Sequence, residues 1–152
     1  MRAESVCAFI GHRQVWTPVE TRLEEEAERF LLKADHAVFL VGGRGQFDTY
    51  AVRTVRRLKR RYPARDISLR LVLPSVQYLP KPEYWKIFQE PYDKVLVCDA
   101  SDGAHYKAML GLRNRWMIEQ SDLLIAYVHT DYGGAYQALR YAQKRGTPTV
   151  LL

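Results

Sequence analysis

At 152 residues the chain has the size of one domain and is long enough to bury a proper core. Its composition, 47 % hydrophobic and 26 % charged, excludes disorder, collagen and coiled coil. The net charge of +6 opens a nucleic-acid reading, so its position along the chain matters.

No apolar run approaches the roughly 20 residues that span a bilayer. Residues 1–10 have no long apolar core behind a basic start, which argues against a secretory signal. Cys7 and Cys98 both sit in apolar runs. They are expected to be buried free thiols of a cytoplasmic protein in a reducing setting, with no membrane contact.

Apolar runs of strand length alternate with helical patterns along the chain. Residues 6–10 read as the first strand. Thr17-Pro18-Val19-Glu20 then has the form of a capping box with proline at the first helical position. The helix it opens carries Leu23, Ala27, Phe30, Leu31 and Ala34 at three- and four-residue spacing. Residues 37–41 form the second strand. A helix over 46–61 follows, with Phe47, Ala51, Val55 and Leu58 on one stripe. The third strand, 67–73, stops at Pro74. Residues 74–91 are proline-rich and read as a long loop with a short helix near Trp85. A fourth strand at 94–98, a helix over 104–120, a fifth strand at 123–128, a helix over 135–145 and a sixth strand at 149–152 complete the order.

The strands are continuously apolar rather than alternating, which means burial on both faces. Strand and helix in turn imply a parallel sheet with crossover helices. The predicted fold is a single α/β domain over 1–152: a doubly wound, mostly parallel, three-layer Rossmann-like sheet. Such sheets bind ligands beyond the carboxyl ends of their strands, near the switch point.

Three glycine-containing loops fall at that edge. They are Gly11-His12-Arg13 after the first strand, Gly42-Gly43-Arg44-Gly45-Gln46-Phe47-Asp48 after the second, and Asp131-Tyr132-Gly133-Gly134 after the fifth. Glycine lets backbone approach a ligand, and a helix start offers free N–H groups to an anion. The second loop lacks the last glycine of a dinucleotide fingerprint, and the chain has no P-loop.

In the helix over 104–120, Tyr106, Met109, Leu110 and Met117 define an apolar stripe, and Arg113 falls on it. Either Arg113 grips a ligand phosphate or carboxylate, or it pairs internally with Asp122 or Asp48. Asn114 beside it has a loop or a base to hydrogen-bond. His12 reads as an acid/base or ligand contact, or as a loop cap. Tyr50, Tyr132 and Tyr136 flank the glycine loops as stacking candidates or ordinary packing. The histidines and cysteines show no metal-ligand spacing, so no metal is expected. No nucleophile elbow appears either.

The ordered set of motifs resembles the SLOG superfamily, the Rossmann-like fold shared by the DprA/SMF and LOG proteins, with the small YpsA-like group nearest. The resemblance runs from Val6 to Leu152. It rests on Gly11-His12-Arg13; on Gly42-Gly43 with Phe47-Asp48 and Ala51; on Arg113-Asn114-Arg115-Trp116-Met117-Ile118 leading into Ser121-Asp122; and on Gly133-Gly134-Ala135 with Ala138, Ala142 and Gly146-Thr147-Pro148. It implies a nucleotide or nucleotide-derived ligand such as ADP-ribose, NAD or a nucleoside phosphate, and no resident cofactor. Phosphate would lie at Gly133 and Gly134, and base or ribose towards Gly11 and Gly43. A homodimer is also implied. The LOG enzymes, which cleave a nucleoside monophosphate, share P-G-G-x-G-T-x-x-E. Here Tyr136, Gln137 and Arg140 stand where that motif has glycine, threonine and the catalytic glutamate. A hydrolase of nucleotides would then have to use Asp48 or His12. The DprA relatives bind single-stranded DNA, which keeps a nucleic-acid module as a further alternative.

The charge excess is local. Residues 51–70 hold 8 basic residues and 1 acidic residue. Arg53, Arg56, Arg57, Arg60 and Arg61 carry most of it, on a helix whose apolar stripe faces elsewhere. They read as a solvated face or a partner surface, nucleic acid included.

Overall fold

The computed structural model describes residues 3–152, so the first two residues of the 1–10 segment lie outside it. The elements are β1 (Glu4–Gly11), α1 (Glu20–Leu32), β2 (His36–Val41), α2 (Gln46–Arg61), β3 (Asp66–Leu73), α3 (Trp85–Gln89), β4 (Lys94–Val97), α4 (Tyr106–Glu119), β5 (Leu123–Tyr127), α5 (Gly133–Arg145) and β6 (Thr149–Leu151). The six strands form one parallel sheet in the order β4-β3-β2-β1-β5-β6.

The alternating faces of each strand feed two cores. On one face Cys7, Phe9, Phe39 and Leu69 pack against Leu23, Ala27 and Leu31 of α1 and Phe47, Ala51, Val55 and Leu58 of α2. On the other, Ala8, Ile10, Val38, Leu40 and Leu124 pack against Met117 and Ile118 of α4 and Ala138 and Ala142 of α5. The chain therefore winds outwards from β1 through β2, β3 and β4, then returns to place β5 on β1's other side. The switch point lies between β1 and β5, where Gly11 pairs with Tyr127. This is the three-layer, doubly wound Rossmann-like fold that the strand pattern predicts. Cys7 and Cys98 are both buried free thiols, and burial pushes the Cys7 thiol well above its usual value.

The capping box at Thr17 does not form. Helix α1 starts at Glu20, and Val19 stands at its N-cap without a side-chain cap. The Thr17 hydroxyl is taken instead by the Tyr127 hydroxyl at 3.0 Å, a contact a hundred residues away that local spacing does not reveal. Tyr106 leaves the apolar stripe assigned to it: it lies in the first turn of α4 and is 72 % exposed. Helix α5 opens two residues earlier than its pattern predicts, so Gly133 and Gly134 are its first turn. The 74–91 segment holds two 3-10 turns, Val76–Tyr78 and Pro82–Tyr84, besides the short α3.

The basic face of α2 is largely neutralised. Arg57 and Arg61 pair with Glu24 at 2.9 and 3.4 Å, and Arg61 also reaches Glu28 at 2.7 Å. Arg53 lies 3.9 Å from Glu20, all three acids being on α1. On its other flank Arg56 pairs with Glu90 and Lys59 with Asp93. Arg60 has no ion pair among the described residues.

Candidate functional site

The three glycine loops converge on one cleft of about 420 Å³ at the carboxyl edge of the sheet. Its floor is the end of β1, with Gly11, His12 and Arg13, and the end of β2, with Gly42 and Arg44. Asp48 from the first turn of α2 forms one side. Leu110, Arg113 and Asn114 of α4 and Gly134 with Ala135 of α5 close the other. Eight of the eleven residues that the sequence singles out for ligand contact therefore line one space: Gly11, His12, Arg13, Gly42, Asp48, Arg113, Asn114 and Gly134.

Arg113 is only 4 % exposed. Its Nη1 donates to the carbonyls of Val72 (2.8 Å) and Gly42 (3.3 Å), and its Nε donates to Asn114 Oδ1 (3.0 Å). Nη2 has no protein partner among the described residues and belongs to a side chain that lines the cleft. The internal partner considered for it, Asp122, is excluded: its carboxylate accepts from the Val6 N–H at the opposite edge of the sheet. Asp48 makes no ion pair with Arg113 within 4.0 Å, but its charge supports the guanidinium from farther off. Carbonyls rather than a carboxylate hold this buried cation. Its charge is left for something in the cleft.

Gly42 makes that arrangement possible. A Cβ built there would stand 2.8 Å from Arg113 Cζ and 2.9 Å from both terminal nitrogens. Gly42→Ala is expected to displace the guanidinium while costing little stability, since the clash falls on the end of a side chain. Titration should show an affinity loss of roughly 10- to 100-fold, with a melting temperature within a few degrees of wild type. Full affinity in the variant would show that the guanidinium position is unimportant.

Asp48 caps its own loop. Its Oδ2 accepts the Arg44 N–H at 3.0 Å. Burial raises the carboxyl to about 6, while the N–H groups of Arg44 and Gly43 and the Arg113 charge pull the other way. At neutral pH the carboxyl is therefore mostly ionised, and it takes up a proton as the pH falls through 6.

His12 turns out to be a loop cap as well as a cleft wall. Its Nε2 accepts the His129 N–H at 2.9 Å, which fixes the neutral ring with its proton on Nδ1. Burial, then the neighbouring His129, hold it below the usual histidine value. Its ring stacks on Trp16 (5.1 Å between centroids) and meets Tyr127 edge-on (5.6 Å). The aromatic cluster of His12, Trp16, Tyr127 and His129 was not legible as a unit in the sequence. The signal was there: two neighbouring strands each end in an apolar run followed within two residues by histidine.

Three expected ligand contacts fall elsewhere. Phe47 is fully buried, stacked on Tyr127 at 5.9 Å and packed under Gly11, so it supports the floor from outside the cleft lining. Gly43 turns away, with φ +75°, into a separate side cavity of about 160 Å³ that Tyr92 also lines. Gly133 is exposed at the rim, outside the cleft lining. Tyr132 is 70 % exposed, and the Tyr136 hydroxyl accepts from Arg140, so neither lines the cleft. Arg44, whose guanidinium lies 5.4 Å from the Tyr78 ring, joins the lining from beside the predicted glycines.

Comparison with solved structures shows the same Rossmann-like fold. The chain matches DNA processing protein A from Helicobacter pylori, a structure described for its single-stranded DNA binding mode. That match has a TM-score of 0.66 and 21 % identity, over 97 % of this chain and 64 % of that one. It matches DNA processing protein A from Streptococcus pneumoniae with a TM-score of 0.71 and 16 % identity, over 97 % of this chain and 50 % of that one. It also matches the molybdenum cofactor carrier protein from Chlamydomonas reinhardtii, with a TM-score of 0.61 and 16 % identity, over 98 % and 76 %. The chain thus spans between half and two thirds of the DNA processing chains. No protein-family model matches the sequence, and no curated protein does.

Proposed function

We propose that the cleft binds a nucleotide or nucleotide-derived small molecule, such as ADP-ribose, NAD or a nucleoside phosphate, through its phosphate. The observation that carries this reading is Arg113: a buried guanidinium whose free Nη2 shares a cleft with Arg13, Arg44 and the start of α5. A phosphate there would take charge-assisted hydrogen bonds from the guanidinium and from the unpaired N–H groups of the helix start. We read the chain as similar to the YpsA-like group and as acting as a cytoplasmic homodimer; its motif set and two buried thiols support that reading. The test is a thermal-shift series with AMP, ADP-ribose, NAD and cyclic nucleotides, with mass spectrometry of anything released on denaturation. A shift or a released nucleotide supports the reading. Neither would refute it.

One observation favours a second reading, a nucleotide-processing hydrolase. Asp48 titrates near 6 at the cleft wall, in the range that suits a general acid or base. His12 is less suited, because its Nε2 is occupied. Arg140, at the position of the LOG glutamate, is on the exposed face of α5 with Tyr136.

A single-stranded nucleic-acid module is the third reading, supported by the Helicobacter pylori neighbour. The ion pairs on α2 argue against that helix as its surface. Changing Arg56, Arg57, Arg60 and Arg61 together to Gln is expected to leave nucleotide binding unchanged. Fluorescence anisotropy with a labelled single strand, over a salt series, checks the other side. Loss of a salt-sensitive interaction in that variant would assign α2 to nucleic acid.

A further inference from the structure

The cleft does not end at α4 and α5. A second hollow, of about 490 Å³, runs between the upper halves of these helices and shares Leu110, Asn114 and Gly134 with the cleft. Its character differs. The cleft is walled by guanidiniums and a carboxyl, whereas the hollow is lined chiefly by Ala108, Leu110, Gly111, Leu112 and Ala138, with the Gln137 amide, Lys107 and Arg115 also on its lining.

Gly111 is the telling residue. It stands in the middle of a 14-residue helix, where glycine weakens the helix, and no packing requires it. A Cβ there would meet nothing within 4 Å, and the same holds at Gly134 across the hollow. Both glycines widen a space that ordinary side chains would narrow. That space adjoins, through Leu110, Asn114 and Gly134, the cleft lined by Arg113, a side chain more than nine-tenths buried with its Nη2 unpaired among the described residues.

Resting on the reading of the cleft as a phosphate site, the geometry points to the α4/α5 hollow as the nucleobase subsite of the same ligand. A base has two apolar faces and a polar edge. The small and aliphatic side chains suit the faces, and the amides of Gln137 and Asn114 suit the edge. The phosphate would remain at Gly134 and Arg113, with the ribose bridging past Leu110. The ligand class is a nucleoside phosphate held at both ends rather than a sugar phosphate. The base lies between the two helices rather than towards Gly11 and Gly43.

The test is calorimetric titration of the four common nucleoside 5′-monophosphates and ribose 5-phosphate into wild type, Gly111→Leu and Gln137→Ala. Leucine at 111 has open space and better helix propensity, so that variant folds, and its circular dichroism checks this. In wild type at least one nucleotide is expected to bind roughly 10-fold or more tightly than ribose 5-phosphate. Gly111→Leu should erase that preference by weakening the nucleotide alone. Gln137→Ala should reduce it and change which base is preferred. A preference that survives Gly111→Leu would overturn the base subsite and leave the phosphate site standing. So would ribose 5-phosphate binding as well as every nucleotide. If none of the five ligands binds, the cleft reading falls and the base subsite falls with it.

Discussion

Replacing Arg113 by methionine is expected to weaken nucleotide binding by roughly 100-fold, about 3 kcal/mol, with the fold intact. The guanidinium is the one cation in the cleft whose position the core itself fixes. Two backbone carbonyls and the Asn114 amide hold it, and Gly42 makes room for it. A phosphate bound to it needs no side-chain ordering, which is where surface cations lose affinity. Methionine keeps an apolar stem on the buried stripe of α4 that Met109 and Met117 also occupy, and removes the charge. Two effects on stability oppose each other. The carbonyls of Gly42 and Val72 lose their donor at a cost of about 1–3 kcal/mol each when dry. Removing a buried cation that has no close carboxylate returns a comparable amount. Calorimetry and urea denaturation of the same sample separate the two outcomes. An unfolded variant would make Arg113 structural; a folded variant with undiminished affinity would remove it from the site.

Asp48→Asn is expected to change how stability depends on pH. In the unfolded chain this carboxyl ionises near 3.8, and in the folded protein near 6. Because the folded value is raised, the folded state holds the proton more tightly. The neutral carboxyl's contribution is complete below pH 4 and is lost as pH rises through 6. At pH 7.5 wild type therefore carries a cost on the order of 3 kcal/mol that asparagine does not. Asparagine can still accept the Arg44 N–H. Urea midpoints should favour the variant at pH 7.5 and converge at pH 4. Parallel profiles would show that Asp48 titrates alike in the folded and unfolded chain. Under the hydrolase reading the same variant loses turnover.

Much of this was legible in the chain. The alternation of apolar runs with helical stripes specified six parallel strands, because each stripe had one fixed period and each strand was buried on both faces. Helix α2 was readable to the residue, since Gly45 bounds it at one end and Tyr62-Pro63 at the other. The convergence of the glycine loops also followed from topology, because parallel strands all end at one edge. What stayed hidden were long-range partners. Thr17 has the form of a cap, but Tyr127 claims its hydroxyl. Phe47 follows a glycine loop, yet its ring belongs to the layer beneath Gly11. His12 was ambiguous until His129, across the switch point, donated to it. The charge excess was misleading in the same way. Its acidic partners lie on α1 and after α3, so counting along α2 finds only the cations.

The most direct test of the account is where a nucleotide perturbs the protein. Titrating AMP into isotope-labelled protein and following the amide resonances should move Gly42, Asn114, Gly134 and Ala135 together, along with the Arg113 Nε–H. Resonances of α2 from Arg53 to Arg61 should stay still. Saturating nucleotide with no movement around the cleft, or movement confined to α2, would contradict it.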